Sequence, residues 1–578
     1  VIQFFEFFKE SIRSGSSKEN NQKFRLASLR RLFPYIKPHW KKELLGSIFM
    51  IVLSFLALPS PYLMKLIFDK VLFAKNIALL NLIIILLLGI QLIRVIFSIL
   101  TDYHFNLFSQ EIMVKVKKDL FSRILRLPLS FFDKNHTGYI LSRIGEVEGL
   151  NFFFSSALTR ILISFFEFVF CLTILFYLNW KLTLISLAIL PIFYFTTKFY
   201  SRGIRKLACE TYERGAAISR QIKDSLSGVD VIKYFAAEKR ETEKIHNYLD
   251  EFKTINIKRN IVFTFSSEIV SLLGALGGLV ILWYSGLDII KGSFTIGSYI
   301  AFSAYVGKLY GPTQMLANIG LTFQPAAVAL DRISELMDLA GEEESENGIK
   351  VKSINREIEF KNVFFSYDTK QVLSDISFRI RKGEKVILAG PNASGKSTIV
   401  KLILGLYKAQ NGSILVDDHD TTELSLSSLR ERISIVSQNT FLFNDTIRNN
   451  ILYSRPEAKE EEIEEATKLS GAYEFIRGLE RGFETEIGER GVRLSGGERQ
   501  KISIARAILK DSDLIIFDEA TAHLDAESER KINALIQSAF KEKTCIVISH
   551  KARDIPGIDS IYCLREGKIT NESRVAHK

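Results

Sequence analysis

The sequence predicts a multi-domain protein: an all-α domain of six membrane-crossing helices with long cytoplasmic helical extensions, followed by an α/β domain built on a phosphate-binding loop. Three observations carry this. Long uncharged apolar runs fill much of the first 320 residues and none occur afterwards. Beyond them, short β-rich runs alternate with helical stretches, and Gly390 to Ser397 stands between an apolar strand and an apolar helix.

Size and composition agree with such a division. At about 150 residues per domain the 578 residues allow roughly four domain-sized units, which excludes a single small module. A hydrophobic share of 47% with a mean hydropathy of only +0.12 is the average of two unlike halves. The net charge of +11 would raise nucleic acid as a partner, but its location argues against that. Lys23, Arg25, Arg30, Arg31, Lys37, Lys41 and Lys42 precede the first apolar run, and others fill two long intervening segments, where the positive-inside rule puts them in the cytoplasm. Cys171, Cys209, Cys545 and Cys563 show no metal-ligand spacing and read as reduced thiols. Glu6, Lys9 and Glu10 interrupt any signal-peptide core among the early phenylalanines.

Six spans are expected near residues 44 to 64, 77 to 100, 161 to 178, 182 to 198, 261 to 286 and 296 to 319. Short links with few charges join them in pairs and read as external; the stretches 101 to 160 and 199 to 260 are long, basic and helical in period, and read as cytoplasmic. Both termini then face the cytoplasm. Turn signals at Asn135 to Gly138 and Ser225 to Gly228 predict that membrane helices continue outward as hairpins. Phe24 to Phe33 alternates basic and apolar residues as an interfacial helix would, within a cytoplasmic N-terminus of residues 1–43.

Arg94, Glu167, Glu268 and Lys308 interrupt or border the apolar runs and are candidates for a substrate pathway, against intramembrane pairing as the structural alternative. Arg94 lies roughly 26 Å beyond Ile77, close enough to the inner boundary to snorkel. Glu167 and Glu268 lie about two turns from the cytoplasmic starts of their runs, which leaves Lys308 as the most central charge.

The membrane domain is expected over residues 44–337, an acidic, Gly-containing linker over 338–355, and the α/β domain over 356–578. In the loop Gly390-Pro391-Asn392-Ala393-Ser394-Gly395-Lys396-Ser397 the glycines let backbone N–H groups wrap phosphates. Lys396 reaches the β and γ phosphates and the Ser397 hydroxyl ligates Mg²⁺. Asp518 and Glu519 end the apolar strand Leu514 to Phe517. Asp518 is placed to hold Mg²⁺ and Glu519 to polarise the attacking water as general base. An acidic pair at a strand end is weak evidence alone and strong beside the loop.

Between these elements lies Leu494-Ser495-Gly496-Gly497-Glu498-Arg499-Gln500, which resembles the signature sequence of ATP-binding cassette (ABC) transporters. The resemblance extends over nearly the whole chain, since six spans, two long cytoplasmic hairpins and one cassette form the half-transporter arrangement of ABC exporters. It implies an ATPase in which Ser495, Gly496, Gly497 and Glu498 complete the ATP site of a second cassette. The partner is a second copy or a related half-transporter. Tyr367 resembles the aromatic that stacks on adenine, Gln438 the glutamine that touches Mg²⁺, and His550 the switch histidine on the γ-phosphate; Thr398 joins the phosphate loop as an ATP contact. Glu486 to Gly491 resembles a coupling segment, as does Phe131-Phe132-Asp133 with Thr137-Gly138 and Ser142-Arg143. Ala522-His523 departs from the usual Ser-Ala, and the C-terminus lacks the usual Gly and His pattern.

The resemblance implies a multi-pass protein of a bacterial inner membrane that uses ATP and Mg²⁺ to export or flip an amphipathic lipid, drug or peptide, with catalytic Glu519, His550 and Lys396. An ATP-gated channel or regulator on the same fold, or one half of a heterodimer, is the alternative.

Overall fold

The apolar runs of the first half lie within helices much longer than the runs themselves. The computed structural model describes residues 30–342, 348–520, 530, 534, 538, 540–549 and 557–574. The interfacial helix expected at Phe24 to Phe33 lies largely outside these residues, as do His550, Ala522 and His523. Seven long or membrane-embedded helices are α1 (Trp40–Ala57), α2 (Pro59–Leu66), α3 (Ile77–Leu125), α4 (Ser156–Leu178), α5 (Trp180–Ser227), α6 (Glu238–Ile290) and α7 (Ile296–Asp338). At 1.5 Å per residue α3 and α6 are each over about 70 Å long, more than twice the roughly 30 Å of a bilayer core.

By contact, the chain divides into two compact units, residues 1–125 with 137–339 and residues 126–136 with 340–578. The first unit is helical. Its first span is not continuous: Pro59 and Pro61 lack backbone N–H groups, and the helix breaks at Leu58 into α1 and α2. The side of the break is closed by α7, whose Tyr305 hydroxyl donates to the Leu58 carbonyl at 2.6 Å. Asn179 starts α5 by accepting from the Lys181 and Leu182 N–H groups at 3.0 and 3.2 Å, so the short link between α4 and α5 needs only one residue. Asp69 fixes the start of α7, accepting from the Gly297 N–H at 2.9 Å and the Thr295 hydroxyl at 2.7 Å. A side chain at Gly297 would collide there, since its Cβ would sit 2.5 Å from the Lys65 carbonyl oxygen.

Cys171, Leu175, Leu182, Ile281, Phe302 and Tyr305 form the main core of this unit. Outward faces remain apolar: in the most hydrophobic window of α3 only 6% is buried within the protein. Phe33–Ala74, Ile77–Leu125, Trp180–Ser227 and Glu238–Ile290 are each long and apolar enough to cross a membrane, with a shorter apolar helix at Ile163–Leu178. Water would penalise so much apolar surface, whereas acyl chains match it.

The second unit carries two sheets. One is antiparallel, with the order β2-β1-β4-β5 from β1 (Glu357–Tyr367), β2 (Lys370–Arg381), β4 (Asn411–Val416) and β5 (His419–Asp420). The other has the order β10-β9-β3-β8-β7-β6, from β3 (Lys385–Ala389), β6 (Ile433–Val436), β7 (Leu514–Asp518), β8 (Thr544–Ser549), β9 (Ser560–Arg565) and β10 (Lys568–Arg574). Only the β9–β10 pair is antiparallel in this sheet. β3 is buried at every residue, as a parallel strand covered on both faces requires. The core joins Ile358, Phe360, Val386, Leu388, Ile399, Ile516 and Ile548 across both sheets.

Candidate functional site

Ligands of open parallel sheets bind beyond the carboxyl ends of the strands. Three of the predicted site segments follow those ends: the phosphate loop after β3, Gln438 after β6, and Asp518 and Glu519 at β7. Parallel register between β3, β8, β7 and β6 brings them to one edge of the sheet.

The loop geometry explains its glycines. Gly390 has φ 153°, and a Cβ there would lie 2.3 Å from the Leu564 carbonyl oxygen. Gly395 has φ 106° and would drive a Cβ to 2.5 Å from Leu373. Lys396 opens helix α8 (Lys396–Ile403) and is buried, its ammonium donating to the carbonyls of Gly390 and Pro391 at 2.8 Å each. Burial pushes its pKa down, while Glu519 and Asp518 partly restore the charged form. The Ser394 hydroxyl is buried without a hydrogen-bond partner among the described residues, a free polar group inside a loop shaped to wrap an anion.

Across the loop, the Ser397 hydroxyl stands 3.5 Å from Asp518 Oδ1. Burial raises the Asp518 pKa first, and the neighbouring Glu519 adds to this; Ser397 and Lys396 oppose them. Gln438 donates through Nε2 to Glu519 Oε2 at 2.8 Å. Glu519 has φ 51°, a left-handed backbone that costs a non-glycine residue on the order of 1 kcal/mol. Its own N–H donates to the Ile548 carbonyl at 3.2 Å, tying the strained residue to β8.

Ser495 caps helix α9 (Gly496–Lys510), and Glu498 turns back to it: the Ser495 N–H and hydroxyl donate to Glu498 Oε2 at 2.8 and 2.9 Å. Glu498, expected on ATP, is thereby engaged as the reciprocal half of a capping box. Among the described residues no hydrogen bond or ion pair links this helix start to the phosphate loop.

Tyr367 ends β1, its hydroxyl 3.5 Å from Thr398 Oγ1 of α8, so it stands beside the phosphate loop. It meets Tyr407 edge to face at 5.1 Å, and the Lys401 ammonium lies 5.5 Å from both ring centres. The same cluster holds the short helix Leu129–Lys134: Asp133 accepts from the Tyr407 hydroxyl and lies 3.7 Å from Lys401, while Lys134 pairs with Asp368 at 2.6 Å. Sequence reasoning singled out Asp133 but missed Tyr407 and Lys401. The only available signal was their position on and just after the helix that follows the phosphate loop.

In the helical unit, Glu167 is the twelfth of the 23 residues of α4, about 16 Å from Leu178 at the end of the helix. Lys308 sits about 18 Å along α7 from Ile296, at a comparable depth. Its ammonium donates to the Ala57 carbonyl. Arg94 donates to Gln91 Oε1 at 3.3 Å, and Glu268 is exposed. The four charges do not form one cluster.

Comparison with known proteins matches this architecture in both units. Residues 44–313 match the ABC transporter transmembrane region and residues 373–522 match the ABC transporter family model. An ATP-dependent lipid A-core flippase of Desulfotalea psychrophila is 33% identical over 546 residues, covering 94% of this chain and 96% of that protein. YgaD of Bacillus subtilis, provisionally named a multidrug export ATP-binding/permease protein, is 33% identical over 556 residues, covering 94% and 95%. Among solved structures, a bacterial Atm1-family ABC exporter with ATP bound superposes with a TM-score of 0.82 at 26% identity, over 93% of this chain and 95% of the other. The chain belongs to the ABC transporter family, as a multi-pass exporter that carries its membrane domain and its ATP-hydrolysing cassette in one polypeptide.

Proposed function

We propose that the chain works as a dimer, with a second copy of itself as partner, and exports or flips an amphipathic substrate from the inner side of a bacterial inner membrane, with both termini cytoplasmic. Residues 44–337 serve as the membrane domain, 338–355 as the linker and 356–578 as the cassette. A lipid is the foremost substrate class, supported by relatives named as lipid A-core flippases; the apolar outer faces of α3 and α6 suit a protein that meets its cargo in the bilayer.

The observation that carries the hydrolytic reading is Glu519, held by Gln438 at the carboxyl end of β7. Lys396 and the loop N–H groups hold the β and γ phosphates, the free Ser394 hydroxyl donates to a phosphate oxygen, and Tyr367 stacks on adenine. Ser397, Asp518 and Gln438 would hold Mg²⁺ through their side-chain oxygens, and the bound ion would supply charge to offset that of the transferred phosphoryl group. Glu519 accepts the proton of the attacking water, and Ser495 at the start of α9 faces the γ-phosphate held by the opposite cassette. His550 completes this arrangement as the γ-phosphate switch.

The test is reconstitution in liposomes containing a fluorescent lipid analogue, with its leaflet read by a membrane-impermeant quencher. ATP with Mg²⁺ should move the analogue, ATP without Mg²⁺ should not, and Glu519→Gln should abolish movement. Movement equal in the absence of ATP would point to a passive pathway and sink the reading.

A further inference from the structure

Three peptide bonds join the two compact units: Leu125 to Arg126, His136 to Thr137, and Leu339 to Ala340. Two of these crossings meet at Glu342. Its N–H donates to the Arg126 carbonyl at 2.6 Å, so the chain leaving α3 and the chain leaving α7 are bonded to each other where both enter the second unit. Just before the crossings in sequence, the Arg123 guanidinium donates to the Leu339 carbonyl at 2.5 Å and ties the same two chains.

The Glu342 side chain leads onward to the phosphate loop. Arg430, in the short helix Leu426–Glu431, donates to both of its carboxylate oxygens, at 2.8 and 2.5 Å. The same guanidinium donates to the Leu404 and Gly405 carbonyls at 2.9 and 3.2 Å. Those two residues follow the end of α8, which opens with Lys396 and Ser397 of the phosphate loop; at eight residues it is a stiff rod about 12 Å long. Carbonyls at a helix end lack intrahelical donors, so Arg430 caps α8 while it grips Glu342. A planar guanidinium fork can make these bonds together, whereas a lysine ammonium cannot span them. The Arg430 and Glu342 side chains are only 29% and 23% exposed, which makes this two-pronged pair stronger than one in open solvent. A pair that merely fastened the linker could lie anywhere on the cassette; this one lies at the far end of the phosphate helix.

We propose that Glu342 and Arg430 are positioning residues for transport, a strut that passes displacement of α8 on ATP binding to the ends of α3 and α7. It acts beside the short helix Leu129–Lys134, and it rests on the ATP-driven export argued above.

All three tryptophans, Trp40, Trp180 and Trp283, lie in the helical unit, so their emission reports that unit while nucleotide binds in the other. With the full chain in nanodiscs, a saturating non-hydrolysable ATP analogue with Mg²⁺ should shift the emission of the wild type. Glu342→Gln keeps the size and the backbone bond to Arg126 but loses the charge. Its emission shift should fall to about half or less, with nucleotide affinity within about twofold of wild type, and lipid analogue moved per ATP hydrolysed in liposomes should fall about threefold or more. Arg430→Lys should do the same, and the double variant should be no worse than the worse single, since each removes one shared link. A full emission shift with an unchanged transport ratio in Glu342→Gln overturns the proposal and leaves ATP-driven export intact, as does a double variant whose losses add. Lowered thermal stability with that ratio unchanged also overturns it, reducing the pair to an anchor. If Glu342→Gln or Arg430→Lys fails to fold, Glu342→Asp, which keeps the charge on a shorter arm, decides by the same two readouts. A wild type whose emission ignores bound nucleotide and which moves no lipid overturns ATP-driven export itself, and this inference with it.

Discussion

The Lys308 ammonium donates to the Ala57 carbonyl, the carbonyl that Pro61 leaves without its helical donor four residues later. With the Tyr305 hydroxyl on Leu58, two side chains of α7 close the break between α1 and α2. Lys308 is thus a tie between helices. Lys308→Met should lower the stability of the solubilised protein by about 1 kcal/mol or more, seen as earlier loss of the monodisperse species on heating, with Tyr305→Phe adding to it. A Met variant as stable as wild type would show that the freed carbonyl finds another donor.

The Asp133–Tyr407 bond predicts a different behaviour. Tyr407→Phe removes the hydroxyl that Asp133 accepts from but keeps the ring against Tyr367, so nucleotide affinity should change less than about twofold. The ratio of lipid molecules moved to ATP hydrolysed should fall, because the short helix Leu129–Lys134 loses one of its links to the cassette and keeps the Lys134–Asp368 and Asp133–Lys401 pairs. An unchanged ratio would remove that bond from the route by which hydrolysis drives movement.

Much of this site was legible in the sequence for a physical reason. A phosphate loop needs glycine at fixed positions and a lysine and serine at fixed offsets, so Gly390, Gly395, Lys396 and Ser397 announce themselves; strand ends carrying Asp518 and Glu519 do so by contrast with the apolar run before them. Contacts between distant segments leave no such trace. Nothing at Lys401 or Tyr407 signals Asp133, which lies 274 positions before Tyr407, and nothing at Glu167 reveals that α4 starts at Ser156 or that Phe55 of α1 faces it. The break at Leu58 was written in Pro59 and Pro61, yet an apolar run of sufficient length hid it.

Asp518 gives a pH-dependent stability in the nucleotide-free protein. Its folded-state pKa is raised, by burial first, so its protonated form is favoured in the fold. Its contribution is then fully present below the unfolded carboxylate pKa and is lost as pH rises through the folded value. Asp518→Asn mimics the protonated state at all pH. Without Mg²⁺ and nucleotide it should raise the apparent Tm by a few degrees at neutral pH, and this difference should shrink as pH falls into the carboxylate range. A constant difference across that range would mean that the effect of the Asn variant is not electrostatic.

Tyr367 and Glu519 separate binding from hydrolysis. Tyr367→Ala should weaken ATP binding several-fold, about the 1 kcal/mol of a lost stacking partner, while Tyr367→Phe should not, since among the described residues its hydroxyl reaches only Thr398 at 3.5 Å. At Glu519 the substitution to Gln keeps size and leaves Lys396, Ser394 and Ser397 to hold the phosphates, but it removes the carboxylate that takes the proton from water. ATPase should fall at least about 10²-fold with ATP still bound. Because closure needs Ser495 from the opposite cassette, the Gln variant should accumulate as an ATP-containing closed dimer, and a cysteine pair across the cassette interface should crosslink more in ATP than without it. Hydrolysis at the wild-type rate would displace Glu519 as the base. A crosslink that survives Ser495→Arg would instead retain the base and remove the signature helix from the opposite site, so the two outcomes identify which half of the arrangement is wrong.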